Sequence, residues 1–333
     1  MKALFIGGTG TISSAISELL FHRGWQLSMI NRGNRMILDG VDLLKCDITD
    51  EATVRQWLQN KTFDVVADFI AFRPEDVERD IRLFSGKTKQ YIFISSASAY
   101  QKPLSDYRIT ESTPLSNPYW EYSRNKIACE ECLMEAYRND GFPVTIVRPS
   151  HTYGNRSVPV GLHGKKGSWQ VIKRIRDGKP VIVHGDGSSL WTMTHNTDFA
   201  KGFAGLMGNI HAIGQAVHIT SDESVTWNQI YQLIYDYFDK QPKLVHIASD
   251  LLARCGTEYD FRGSLLGDKA CTVSFDNSKL KRLVPGFEAS VRVDQGIPKT
   301  LDYVMAHPEL QTQDPAFDDW CDRFINAYQS ITI

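Results

Sequence analysis

Tyr122, Lys126 and an upstream Ser96 are the side chains in this sequence best suited to moving a proton. The segment Asn117-Pro118-Tyr119-Trp120-Glu121-Tyr122-Ser123-Arg124-Asn125-Lys126 reads as a loop entering a helix, and the four-residue spacing puts Tyr122 and Lys126 on one helical face. A free phenol, with a pKa of about 10, is a poor acid or base at neutral pH. A nearby ammonium favours the phenolate and lowers that value, which would bring Tyr122 into range as a general acid/base for a substrate hydroxyl. The same spacing is also an ordinary polar pair on many surface helices, so its meaning depends on the elements around it.

The N-terminus supplies those elements. Lys2-Ala3-Leu4-Phe5-Ile6-Gly7-Gly8-Thr9-Gly10-Thr11-Ile12-Ser13 carries an apolar run, then small residues at 7, 10 and 13, then an apolar-periodic stretch through Leu19, Leu20 and Phe21. The pattern predicts strand, tight glycine turn and helix. Glycines let the backbone approach a pyrophosphate, whose charge then sits at the helix N-terminus, so dinucleotide binding is expected. Strand and helix alternate through residue 150, with strands expected at 27–30, 65–70, 91–94 and 144–147. The fold class is therefore α/β, a Rossmann-like doubly wound parallel sheet with a smaller C-terminal substrate lobe. Residues 1–150 would form the dinucleotide-binding domain, completed by elements near 194–220, and residues 151–333 mainly the substrate-binding lobe. Helical periodicity returns at 169–177 and 227–238, after an irregular stretch at 155–167.

These landmarks, taken in order, resemble the extended short-chain dehydrogenase/reductases of the NAD-dependent epimerase/dehydratase type. The glycine turn, Cys46-Asp47-Ile48, Tyr91-Ile92-Phe93-Ile94-Ser95-Ser96-Ala97-Ser98-Ala99-Tyr100, the Tyr122/Lys126 pair and Val147-Arg148-Pro149-Ser150-His151-Thr152-Tyr153-Gly154 carry the likeness. His184-Gly185-Asp186-Gly187, Asp198-Phe199-Ala200 and Phe275-Asp276-Asn277-Ser278-Lys279-Leu280 extend it. The resemblance implies that Ser96 hydrogen-bonds the reacting oxygen, Tyr122 exchanges the proton, and Lys126 holds the nicotinamide ribose and depresses the Tyr122 pKa. It implies cofactor contacts from Gly7, Thr9, Gly10, Thr11, Ile12, Asn31, Arg32, Arg35, Asp47, Ile48, Ile70, Ala71, Ser95 and Pro149, besides Tyr122 and Lys126. Asp47 would accept from the adenine amino group; a turn or helix-cap aspartate is the other reading.

Cofactor choice turns on the end of the second strand, Asn31-Arg32-Gly33-Asn34-Arg35. No carboxylate is there to bind a ribose 2′-hydroxyl, and two guanidiniums can pair with a 2′-phosphate, so NADP is favoured over NAD. Asn31 remains able to bond a plain ribose. Toward the substrate, Ser98, His151 and Trp191 are the candidate contacts. Ala97-Ser98-Ala99 lacks the acidic residues that family dehydratases use to expel water, which argues against dehydration. Trp191 and His151 stand near positions where many nucleotide-sugar enzymes of the family carry arginine and asparagine, which weakens a nucleotide diphosphate substrate. Three readings stay open: an epimerase that returns the hydride to the same sugar, a net NADP-dependent reductase or dehydrogenase, and a non-catalytic RNA-binding protein. The last is motivated by a resemblance of Asn31-Arg32-Gly33 and Gln90-Tyr91-Ile92-Phe93-Ile94-Ser95-Ser96-Ala97 to the chloroplast stem-loop RNA-binding relatives, which tend to lose the catalytic tyrosine that this sequence keeps.

Composition bounds the remaining choices. With 333 residues, 42% hydrophobic and 23% charged, the chain is ordinary for a globular protein able to bury a large core. A net charge of −2 provides no general field for nucleic acid or an anionic membrane. No apolar stretch is long enough to span a bilayer and the first strand starts at residue 3, so a cytoplasmic location is expected. The six cysteines suit a reducing compartment. Cys129-Glu130-Glu131-Cys132 lacks a second pair to complete a zinc site, so no metal is expected. A small-molecule substrate, a sugar or sugar derivative, is the expected partner, and a homodimer is compatible with the sequence.

Overall fold

A computed structural model describes residues 1–35 and 37–331. Seven strands make the central sheet: β1 (Lys2–Ile6), β2 (Gln26–Asn31), β3 (Asp42–Lys45), β4 (Val65–Asp68), β5 (Tyr91–Ile94), β6 (Val144–Pro149) and β7 (Gln215–Ile219). They are hydrogen-bonded in the order β7-β6-β5-β4-β1-β2-β3, all parallel. Ala3, Leu4, Phe5 and Ile6 are all fully buried, because β1 lies at the centre with both faces covered. Alternation sends Ala3 and Phe5 into one apolar layer with α1 (Thr11–His22), and Leu4 and Ile6 into the other. Each fully buried Phe, Leu or Ile contributes roughly 1.5–3 kcal/mol, so a charge at any of these positions would break the sheet.

The helices fill the two faces as the period requires. Those between β3 and β6 are α2 (Glu51–Trp57), α3 (Pro74–Phe84) and α4 (Glu121–Asp140). Leu133 and Cys129 of α4 pack with Val77 and Leu83 of α3. On the opposite face, α1 packs against a later helix, Asn196–Leu206, through Ile16, Leu20, Phe199 and Phe203. The strand Gln215–Ile219 then pairs with β6, so chain from beyond residue 150 extends the sheet. The fourth strand is shorter than the expected 65–70: it stops at Asp68, whose Oδ1 accepts from the amides of Ile70 and Ala71 and turns the chain away.

A third apolar cluster forms the second lobe, around Trp169, Ile172, Val183, Trp227, Tyr231 and Ile297. Its helices run Trp169–Arg176 and Trp227–Tyr237, each one residue shorter than the periodicity predicts. Short strand pairs tie this lobe to the sheet; Ser274–Phe275 pairs with Arg108–Ile109, and Met193–His195 with His151–Tyr153. An eight-residue π-helix, Arg262–Lys269, lies between the lobes and packs on the start of α4. All six cysteines are free thiols, and Cys129 is a fully buried packing residue. Among the described residues no helix is long and apolar enough to cross a membrane, and no group of three metal-ligating side chains gathers.

Candidate active site

The sheet's order reverses between β1 and β4, and a groove of about 630 Å³ opens there. Ligands bind outside the carboxyl ends of strands at such a switch point. Gly7 and Gly8 line the groove with φ of +98° and +79°. A Cβ on Gly8 would lie 2.8 Å from Met29 Sδ, so only glycine lets the turn press against β2. Gly10 caps α1, and its amide donates to Ser13 Oγ at 2.8 Å. The cradle a Cβ would fill and the helix N-terminus beyond it fit a dinucleotide pyrophosphate.

Thr9, Gly10, Asn31, Arg32, Arg35, Asp47, Ile48 and Ile70 also line this groove. Asn31 is tied to the turn, its Nδ2 donating to Gly7 O at 3.3 Å and its Oδ1 accepting from Gly33 N at 2.8 Å. Arg35 Nη1 donates to Thr9 O at 2.8 Å, which binds the arginine loop to the glycine turn. Asp47 is a turn aspartate, accepting from the amide and hydroxyl of Thr49, and those bonds hold its carboxyl below the usual range. The other expected contacts are not among the residues lining this groove. Ile12 and Pro149 line the neighbouring pocket, Thr11 is an exposed first-turn residue whose carbonyl accepts from Asn196, and Ala71 is buried with its carbonyl taken by Lys126. The Ser95 hydroxyl is likewise not offered to a ligand; it donates to Glu130, which pairs with Arg148 beneath the strand ends.

A second cavity, of about 300 Å³, is lined by Ser96, Ser98, Tyr122, His151 and Trp191. It gathers the Ser/Tyr pair with all three expected substrate residues. Ser98 is the hub of a hydroxyl chain, 2.8 Å from Ser96 Oγ and accepting from Ser123 Oγ at 2.7 Å. Asn117, which sequence reasoning passed over, sets the entry to α4. Its Oδ1 accepts from the amides of Tyr119 and Trp120, and its Nδ2 bridges Ser98 O and Gly267 O. Asn and Pro before a helical pattern were the available signal.

The expected effect of Lys126 on Tyr122 is not what the structure contains. Lys126 Nζ donates to the carbonyls of Ala71 and Ile94 at 2.6 and 2.7 Å, over the Phe72 ring. Burial pushes the Tyr122 phenol up to about 12, with the Asp268 charge adding to it and Ser96 pulling the other way. Burial also brings Lys126 down to about 8. Desolvation disfavours the charged form of both groups and is the largest cause of both shifts. His151 is held neutral, its pKa lowered to about 3 by burial and by the Lys269 and His163 charges.

Trp191 is 3% exposed and packs on Trp227 with ring centroids 5.9 Å apart, while also lining the cavity. Arg156, Lys165, Lys166, Lys173, Arg174 and Arg176 make residues 156–176 locally basic, and part of that charge is spent internally: Lys173 and Arg176 pair with Asp177, and Arg174 pairs with Asp318 and Asp322. Lys102 and Asp268 line the same cavity as Tyr122 and were missed, because nothing local in the sequence marks them.

A glycine turn at the switch point beside a Ser-Tyr-Lys set is the arrangement of the extended short-chain dehydrogenase/reductases. The chain belongs to the NAD dependent epimerase/dehydratase family, whose model matches residues 3–219, and it is an enzyme of that type. A 2′-dehydrokanamycin reductase of Streptomyces kanamyceticus is 22% identical over 290 residues, covering 86% of this chain and 80% of that protein. The chloroplast stem-loop binding protein of 41 kDa b of Arabidopsis thaliana is 28% identical over 242 residues, 68% of this chain and 60% of that protein. Among solved structures, UDP-glucuronic acid 4-epimerase of Bacillus cereus, in complex with UDP-glucuronic acid and NAD, has a TM-score of 0.73 at 19% identity. That likeness covers 92% of this chain and 99% of the other, and it concerns the fold.

Proposed function

We propose that the protein transfers hydride between a nicotinamide cofactor and a hydroxyl- or keto-bearing carbon of a small sugar that carries no nucleotide, with ketone reduction as the favoured direction. The observation that carries this reading is the cavity of about 300 Å³ in which the half-buried Tyr122 stands beside Ser96, with burial pushing its phenol up to about 12. A protonated phenol is the acid that a developing alkoxide needs. In this reading Tyr122 delivers the proton, Ser96 donates to the same oxygen, and Lys126 holds the ribose of the cofactor. The dinucleotide, when bound, supplies the hydride. The glycine turn, Asn31, Asp47, Ile48 and Ile70 would hold it, and Arg32 and Arg35 would favour NADP over NAD through its 2′-phosphate.

Two further points favour an unactivated sugar. The pocket is at the small end for ligand sites, and no arginine lines it to clamp a diphosphate. The relative from Streptomyces kanamyceticus, similar over most of this chain, is named for reduction of a keto sugar derivative without a nucleotide.

The test is to purify the protein, denature it and identify any released cofactor, then to assay wild type and Tyr122→Phe with NADPH and NADH. An exchangeable NADP(H) site is expected. Tyr122→Phe should lose at least about a hundredfold in kcat, the lower end for a lost general acid, with cofactor affinity within twofold. Stoichiometric retained NAD would instead indicate a cycle that returns the hydride to the same molecule. Activity within threefold of wild type in Tyr122→Phe would remove the proton-transfer role.

A further inference from the structure

Three serine hydroxyls stand in line behind the reacting end of Tyr122. Ser123 Oγ is 2.7 Å from Ser98 Oγ, Ser98 Oγ is 2.8 Å from Ser96 Oγ, and Ser96 hydrogen-bonds the Tyr122 phenol and lowers its pKa, as a donor does. Ser123 is fully buried and Ser98 is 3% exposed, so both hydroxyls depend on protein partners. A hydroxyl has one proton to give and two lone pairs to fill. Among the described residues the Ser123 hydroxyl has Ser98 Oγ as its partner, and it donates to it. In the reverse sense its proton would be buried without an acceptor, at a cost of about 1–3 kcal/mol. Ser98, accepting from Ser123, keeps its own proton for Ser96 Oγ. Ser96 Oγ also accepts from the Ser98 amide at 3.1 Å. Both of its lone pairs are then filled, and its proton can go only forward, to the Tyr122 oxygen or to a reacting oxygen bound beside it.

The backbone that carries these hydroxyls is held in place. Ser96 caps the short 3-10 turn Ala97–Ala99, which puts its Oγ under the Ser98 amide. Asn117 Nδ2 donates to Ser98 O at 2.8 Å and to Gly267 O at 2.7 Å, which ties the turn to the entry of α4 and to the π-helix between the lobes. Ser123 follows Tyr122 on α4, so one helix sets both the phenol and the far end of the chain.

We infer that Ser98 and Ser123 are positioning residues that point the Ser96 proton at Tyr122 and the reacting oxygen. The inference rests on the reading of Tyr122 as the proton-transferring group and adds residues that act on it through Ser96. Each donor in a row polarises the next, so a chain that ends on the phenol oxygen strengthens the Ser96 bond and stabilises the phenolate. A chain running the opposite way would draw the Ser96 proton off and disfavour the phenolate. The sign of the effect of Ser98 on Tyr122 therefore reports the direction of the chain.

The experiment is a fluorine NMR pH titration of the protein made with 3-fluorotyrosine, with no substrate added and the Tyr122 signal assigned by its absence from Tyr122→Phe. Fluorine makes each phenol more acidic, which brings a midpoint of about 12 toward the range of folded protein. Lys126 and Cys129 of α4, Asp268 of the π-helix, and Lys102 and His151 of the cavity wall face the phenol or its pocket, and all stay in place in these variants. Ser98→Ala should raise the Tyr122 midpoint by about 0.3–1 pH unit, a roughly two- to tenfold fall in its ionisation constant. Ser123→Ala should raise it by less, and Ser98→Thr should restore it. Ser96→Ala should raise it too, and adding Ser98→Ala to that variant should raise it no further, which marks an effect that passes through Ser96 rather than a loosened site. Near-ultraviolet circular dichroism matching wild type shows each variant folded; should Ser98→Ala fail to fold, the sign seen in Ser123→Ala decides. A midpoint left unchanged or lowered by Ser98→Ala, or raised by it equally in the Ser96→Ala background, overturns the inference and leaves the role of Tyr122 standing. If Tyr122→Phe transfers hydride as wild type does, the reading of the site itself fails instead.

Discussion

Tyr122, Lys126 and Asp268 are each displaced from their ordinary pKa by burial, and the directions translate into pH profiles. The phenolate fraction of Tyr122 rises roughly tenfold per pH unit below its value of about 12, so kcat/KM for alcohol oxidation should climb steeply from neutral pH, while ketone reduction stays flat. The climb should bend near pH 8, where Lys126 loses its proton. Initial rates in both directions check this, and an oxidation rate indifferent to pH would exclude Tyr122 as the base. Asp268 makes a stability prediction of opposite sense. Its folded value of about 6 lies above the ordinary 3.8, so the folded state binds the proton more tightly than the unfolded one. The stability contributed by the neutral form is fully present below pH 3.8 and is lost as pH rises through about 6. Asp268→Asn should therefore raise the Tm of the ligand-free protein by a few degrees at neutral pH and leave it unchanged near pH 4, as denaturation scans at the two pH values would show.

At the scale of elements, the glycine turn and the loop after β2 act as one unit. Arg35 binds that loop to the Thr9 carbonyl, whereas Arg32 lines the groove without such a bond. Arg32→Ala should thus weaken NADPH and spare NADH. Arg35→Ala should weaken both, since it also loosens the turn, and high salt should erode the NADPH preference proposed for Arg32. Fluorescence titrations with the two cofactors distinguish these patterns; parallel losses in both variants would remove the phosphate role of Arg32. Gly8→Ala tests the turn itself. A Cβ there meets Met29 Sδ at 2.8 Å in a left-handed backbone, a strain of about 1–3 kcal/mol that should lower the Tm and weaken NADPH and NADH equally.

The whole molecule depends on joining the second lobe to its own C-terminal helix, Pro315–Ile331. Arg174, 1% exposed, donates to Asp318 and Asp322 of that helix and to the Pro180 carbonyl. Lys179 bridges the same two carboxylates. Arg174→Met removes the buried charge but not its partners, and should cost about 3 kcal/mol of stability. Cofactor binding should persist, because the glycine groove lies in the sheet's own layers. Urea unfolding, followed with and without NADPH, checks both halves of that expectation.

Much of this was legible in the chain because it is local. The apolar run of residues 3–6 and the small residues at 7, 10 and 13 dictate strand, turn and helix through sterics alone, and the Tyr-Lys spacing fixes one helical face. The order of these landmarks carried the family. What the sequence left open was decided by contacts between segments far apart. Desolvation at Tyr122 and Lys126 depends on the packing of Phe72 and of the strand ends around them, so their pKa directions emerged only when the chain was folded. Trp191 packs on Trp227, thirty-six positions on, while lining the cavity, a placement that only the fold could set. Asp268 entered the pocket because Asn117 bridges Gly267 to Ser98 across 150 residues, a long-range bond that no periodicity or spacing encodes.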